Sequence, residues 1–132
     1  MILWHALAIL PVAAAISPAS VDAMKHERRV LIVAAASPTD PRLADQRLAL
    51  DGWRDGAAAR DLSVVEIVGE RVNGSRDTAA ALRRRWRLPA GVFGIVLVGK
   101  DGHEALRRSA PLAADALQAT IDAMPMRRAG LR

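Results

Sequence analysis

Ser37, Thr39 and Asp40 stand within four residues of one another, directly after an apolar run. A hydroxyl close to a carboxylate could begin acyl or phosphoryl transfer if a base stood beside it. Past residue 20 the only histidines are His26 and His103, and neither spacing sets an imidazole against Ser37. Ser37-Pro38-Thr39-Asp40 also has the composition of a turn followed by a helix cap, and that is the role expected of it. The chain has no cysteine. Disulfides, thiolate nucleophiles, thiolate metal sites and a lipid-carrying amino-terminal cysteine are therefore excluded together. Asp40, Glu70, Asp101 and His103 show no i, i+4 pair and no short histidine spacing, so the residues call for neither a metal nor a cofactor.

Positive charge is the other chemistry on offer. Nineteen Lys and Arg against fourteen Asp and Glu give a formal charge of +5. Part of it is concentrated in Arg83-Arg84-Arg85-Trp86-Arg87. Consecutive arginines on a helix point in different directions, so they form either a solvated face or a guanidinium cluster for a carboxylate, a phosphate or an acidic protein surface. Met124-Pro125-Met126-Arg127-Arg128 has the same duality: a helix stop with gap-filling methionines, or a patch of flexible side chains and arginine forks that meets a partner. The candidate binding residues are thus Arg83, Arg84, Arg85, Arg87, Lys100, Arg127 and Arg128. Only 3% of the residues are aromatic, which offers few stacking platforms and does not favour nucleic acid.

The elements that must position these groups follow from periodicity. Arg29 to Ala36 is an apolar run, β-branched at its centre, as in a strand covered on both faces. Asp40 and Pro41 open a helix to about Leu50, with Leu43, Ala44 and Leu48 expected to face inward. Gly52 and Gly56 loosen the chain before a strand at Leu62–Val68, and residues 69–77 read as a loop. Thr78–Trp86 is a short helix that packs Leu82 and Trp86, and Val92–Val98 is a strand. Lys100-Asp101-Gly102 turns the chain into an edge strand at Glu104–Arg108. A helix at 112–123 then ends at Pro125. The order β-α-β-α-β-β-α implies one mixed sheet flanked by helices, the layout of the thioredoxin fold.

Residues 1–19 carry no charged side chain and are almost wholly apolar or small. They read as a signal peptide with a cut after Ala19, or after Ala23. An uncleaved anchor, and a start at Met24 that would leave the chain in the cytoplasm, are the alternatives. Residues 20–28 then form a polar lead-in, 29–128 the domain and 129–132 a tail.

Asp40-Pro-Arg-Leu43 with Gln46, Arg60-Asp-Leu62, Leu97-Val-Gly-Lys-Asp-Gly102, Pro111-Leu112 and Ile121-Asp-Ala-Met-Pro-Met-Arg-Arg128 together resemble one family. It is the small thioredoxin-like domain of unknown function of secreted bacterial proteins, related to the peroxiredoxin-like P-DUDES modules of animal extracellular proteins. The resemblance implies a thioredoxin-like domain over residues 29–128. The loop 37–41 occupies the place of the Cys-x-x-Cys motif without a thiol. Phe93-Gly94 stands where true thioredoxins carry a cis-proline. A periplasmic or secreted, non-catalytic module that binds a protein or an anionic ligand of the cell envelope is the expected function. A peroxiredoxin-like enzyme without thiol chemistry and a non-specific polyanion binder are the alternatives.

Overall fold

A seven-residue strand with no exposed residue can only lie in the middle of a sheet covered on both faces, and β1 (Arg29–Ala35) is such a strand. In the computed structural model, which describes residues 18–131, a 3-10 turn at Asp22–Met24 precedes β1, and the other elements are α1 (Pro41–Asp51), α2 (Arg54–Ala59), β2 (Leu62–Val68), β3 (Arg71–Asn73), α3 (Ala79–Trp86), β4 (Gly94–Val98), β5 (Glu104–Arg108), α4 (Ala114–Asp122) and α5 (Pro125–Arg128). The apolar leader read over residues 1–19 lies, up to residue 17, outside the described residues. The sheet order is β3-β2-β1-β4-β5. β1 runs parallel to β2, and all other pairs are antiparallel. A crossover through α1 and α2 makes the parallel pair; hairpins make β2-β3 and β4-β5.

Side-chain alternation along β1 divides the core in two. Val30, Ile32 and Ala34 pack with Leu82, Trp86 and Leu88 beneath α3 and with Val21 and Met24 of the lead-in. Leu31, Val33 and Ala35 pack with Leu43, Leu117 and Ile121 beneath α1 and α4. The residues just before β1 thus belong to the fold: Val21 is buried, and its N–H donates to Asp77 at 2.8 Å.

Several elements differ from the sequence reading, each for a local reason. α1 buries Leu43 and Gln46, whereas Ala44 is exposed and Leu48 is 74% exposed. The Gln46 amide explains the turned face, since it donates to the Leu112 carbonyl at 3.0 Å and accepts from the Leu112 N–H at 2.8 Å. That buried pair also holds Leu112 out of α4, which starts two residues later. Gly56 lies inside α2 instead of breaking it, because any Cβ there would collide with the Trp53 indole. The loop read at 69–77 contains β3, formed because Gly69 at φ +58° closes a two-residue turn between Val68 and Arg71. Strand pairing of β4 begins only at Gly94, opposite Ala34, and Val92 is exposed. Pro125 opens the short α5 at its first position, where a missing N–H removes no helical bond.

Leu43→Ala is expected to cost about 2–5 kcal/mol, because it leaves a cavity in a closed core. Leu48→Ala should stay within about 0.5 kcal/mol, as for an exposed position. Urea unfolding of the two variants checks the reassigned face of α1.

Candidate functional site

The junction between β1 and α1 is closed by its own side chains. Asp40 caps α1 by accepting from the Arg42 N–H at 3.0 Å, and it also holds the Arg42 guanidinium at 3.1 and 3.2 Å. Those bonds keep its carboxyl below the ordinary range. Ser37 Oγ and Thr39 Oγ1 bond each other at 2.8 Å, and the Thr39 N–H donates to Ser37 Oγ. His26 and His103 lie at the other end of β1: the His26 N–H donates to the Lys100 carbonyl, and His103 follows the β4-β5 turn. A strand of seven residues spans about 20 Å, so neither imidazole reaches Ser37. Among the described residues no cluster of His, Asp and Glu could hold a metal ion.

Chemistry gathers instead around the β4-β5 hairpin. A register shift between Leu97 and Val98 places an extra residue in β5. In a regular strand, residues three apart face opposite sides; the bulge brings Glu104 and Arg107 to one side, where they pair at 2.6 Å. Arg107 also donates to the carbonyls of Trp86 and Arg87, closing the end of α3. The result is a cleft of about 300 Å³ between α3 and the hairpin, lined by Arg85, Trp86, Arg87, His103, Glu104 and Arg107.

Two cations of this cleft lack carboxylate partners, and the buried indole beside them lacks an acceptor. Arg85 lies over the Trp86 ring at 4.3 Å and has no carboxylate partner among the described residues. Arg87 is likewise without one, and it adopts φ +52°, ψ +55° at the carboxyl end of α3, a left-handed position where glycine is the usual residue. The indole N–H of Trp86, a residue only 5% exposed, has no acceptor among the described residues.

The seven candidate cations do not form one surface. Arg85 and Arg87 line the cleft, and Arg84 is exposed beside them. Arg83 ties its own helix to two loops through the carbonyls of Gly69 and Pro89. Lys100 is buried, 6% exposed, with Nζ 2.9 Å from Asp61. Arg127 faces Asp122 at 3.7 Å across the other face of the sheet, and Arg128 is exposed on α5. Arg107 is not among the candidate cations, because a bulge that carries it to α3 leaves no mark in a single sequence.

A second cluster closes the end of the sheet at which β1 starts. Arg29 is 1% exposed, and it donates to the Arg60 carbonyl at 2.8 Å and to Met124 Sδ at 3.4 Å. Burial pushes its pKa down, with the charge of Arg127 acting in the same direction. Arg60 grips Asp122 with two bonds of 3.0 Å.

A family model described as Domain of unknown function (DUF4174) matches residues 20–130. The chain belongs to that family. No curated protein matches it. Among solved structures it is similar to the reduced 2-Cys peroxiredoxin of Plasmodium vivax, with a TM-score of 0.60 at 12% identity over 77% of this chain and 80% of that one. The likeness establishes a thioredoxin-like fold, which this DUF4174 chain builds without any cysteine. The words quoted for the resemblance turn out to interlock: Gln46 holds Leu112, Arg60 holds Asp122 and Asp61 holds Lys100.

The Arg60 bonds hold the Asp122 carboxyl below its ordinary value, and the charge of Arg127 adds to the effect. An unfolded chain takes up this proton near pH 3.9, whereas the folded one resists to lower pH. Between those two values the unfolded state binds more protons, so stability rises with pH there. The contribution is complete above the unfolded pKa and is lost as pH falls through the folded pKa. Asp122→Asn should flatten that acid limb in a melting series between about pH 2 and pH 6, at a cost of about 1 kcal/mol or less at neutral pH, as for ion pairs open to solvent.

Proposed function

We propose that this DUF4174 chain is a non-catalytic binding module that receives an anionic group, a carboxylate or a phosphate, in the cleft between α3 and the β4-β5 hairpin. The observation that carries this reading is the pair of guanidinium groups, Arg85 and Arg87, that line the cleft without a carboxylate partner among the described residues. An arriving oxyanion would meet both guanidinium groups in charge-assisted hydrogen bonds, which are about twice as strong as neutral ones. Arg87 supports the same reading. A side chain held at positive φ is retained against local strain of about 1 kcal/mol or more, which binding would justify.

The setting we propose is periplasmic or extracellular, with residues 1–19 as the leader, in keeping with the resemblance to secreted bacterial proteins and to the P-DUDES modules. A cut after Ala19 leaves Val21 in the core and Ser20 Oγ accepting from the Ala23 N–H. A cut after Ala23, or a start at Met24, removes both. Without cysteine the peroxiredoxin-like alternative would have no thiol route to peroxide.

Citrate and pyrophosphate titrations followed at the Trp86 indole N–H are expected to saturate. Arg87→Gly should weaken them about tenfold, the worth of one charge-assisted hydrogen bond, without lowering the melting temperature, because glycine relieves the backbone. No saturation, or equal affinity in the variant, removes the cleft assignment. Binding seen only with long polyanions and gone by about 0.5 M salt would make the chain a non-specific surface binder. Expressed with its leader in a bacterium, the exported protein should begin at Ser20 on amino-terminal sequencing; Met1 or Met24 as first residue would contradict the assigned cut.

A further inference from the structure

On the other side of the hairpin lies a cavity of about 220 Å³ whose lining includes Arg29, Lys100, Ala105, Met124, Pro125 and Met126. Asp101, His103 and Glu104 complete its hairpin side, so the lining itself carries two carboxylates beside Arg29 and Lys100, and the excess of cations lies behind it. Among the described residues Arg28, Arg29, Arg60, Lys100 and Arg127 share two carboxylates, Asp61 and Asp122. Asp61 takes Lys100 at 2.9 Å and Arg28 at 3.9 Å, and Asp122 takes Arg60 and Arg127. Arg29, the most buried of the five, bonds directly to neutral acceptors, a carbonyl and a thioether. The acidic groups on the hairpin side of the cavity are engaged elsewhere, Glu104 with Arg107 and Asp101 with the His103 N–H. Buried charges are ordinarily paired with opposite ones; Asp61 and Asp122 act on the Arg29 charge through space, while its hydrogen bonds go to neutral groups.

Walls and floor differ in kind. Met124, Pro125, Met126 and Ala105 present apolar surface, and thioether chains reshape readily around a ligand. The geometry points to a site for a terminal carboxylate on a short apolar stem: the carboxylate meets Arg29, and the stem lies along Met124 and Met126. The site is separate from the Arg85–Arg87 cleft and does not rest on the function proposed for it. A free short-chain acid and the carboxyl terminus of a peptide share this chemistry.

The chain has four methionines, so ¹³C-methyl labelling gives a simple spectrum in which the Met124 and Met126 signals report on the cavity. Hexanoate and the peptide acetyl-Ala-Leu with a free carboxyl terminus are the probes; hexanamide and the amidated peptide are their neutral counterparts. At least one acid is expected to shift both methyl signals saturably, about tenfold more tightly than its amide, the worth of one charge-assisted contact. Hexanoate alone identifies a free acid, the peptide alone a chain terminus, and both together recognition of the carboxylate itself. Met126→Glu, at a position 38% exposed where folding tolerates the change, should weaken the acid about tenfold or more by placing a like charge at the rim. Equal binding of acid and amide, absence of any saturable methyl shift, or full affinity in Met126→Glu would each overturn the site, independently of what the pyrophosphate titration shows.

Discussion

The central strand begins with a buried arginine, and much of that end of the molecule is arranged around this constraint. A guanidinium withdrawn from water must recover hydrogen bonds and counter-charge from protein. Arg29 finds a carbonyl in Arg60, which ends the α2 segment, and a sulfur in Met124, two residues beyond α4. Asp61, at φ +50°, turns the chain into β2, offers its carbonyl to the Arg29 N–H and sets its carboxylate on Lys100. Helix α4 is then fixed by Arg60 on Asp122. Segments distant in sequence converge there because one charge cannot be left unsolvated.

Relatives of this scaffold such as the Plasmodium peroxiredoxin carry a name that refers to cysteines. In the DUF4174 chain the junction between β1 and α1 is a sealed turn, with Ser37 and Thr39 bonded to each other and Asp40 to Arg42. The unmet groups lie toward the hairpin, on both faces of the sheet. The chain thus keeps this architecture without a thiol, and its uncommitted polar groups lie elsewhere.

Periodicity made β1, β2, β4, β5, α3 and the fold class legible, because burial on one or both faces writes itself into apolar spacing. The turned face of α1 was hidden, since its inward Gln46 is polar and its outward Leu48 apolar; only the distant Leu112 backbone makes sense of that exchange. Three residues of β3 are too few to show alternation, and α2 was concealed by a glycine whose purpose is to admit Trp53. The arginine run was legible as a concentration of charge. How it divides was not, because Lys100 enters through an ion pair with Asp61 and Arg107 arrives through a bulge.

The two outer strands have a consequence for how this molecule can meet others. β3 is three residues long with Arg71 and Asn73 exposed, and β5 is bulged and carries Glu104, Arg107 and Arg108. Short, charged or irregular edges resist the addition of a further strand. The sheet is therefore poorly suited to growth by main-chain pairing, whether with a copy of itself or with an extended peptide. Recognition has to pass through side chains, which suits a protein whose distinguishing feature is where its guanidinium groups are left.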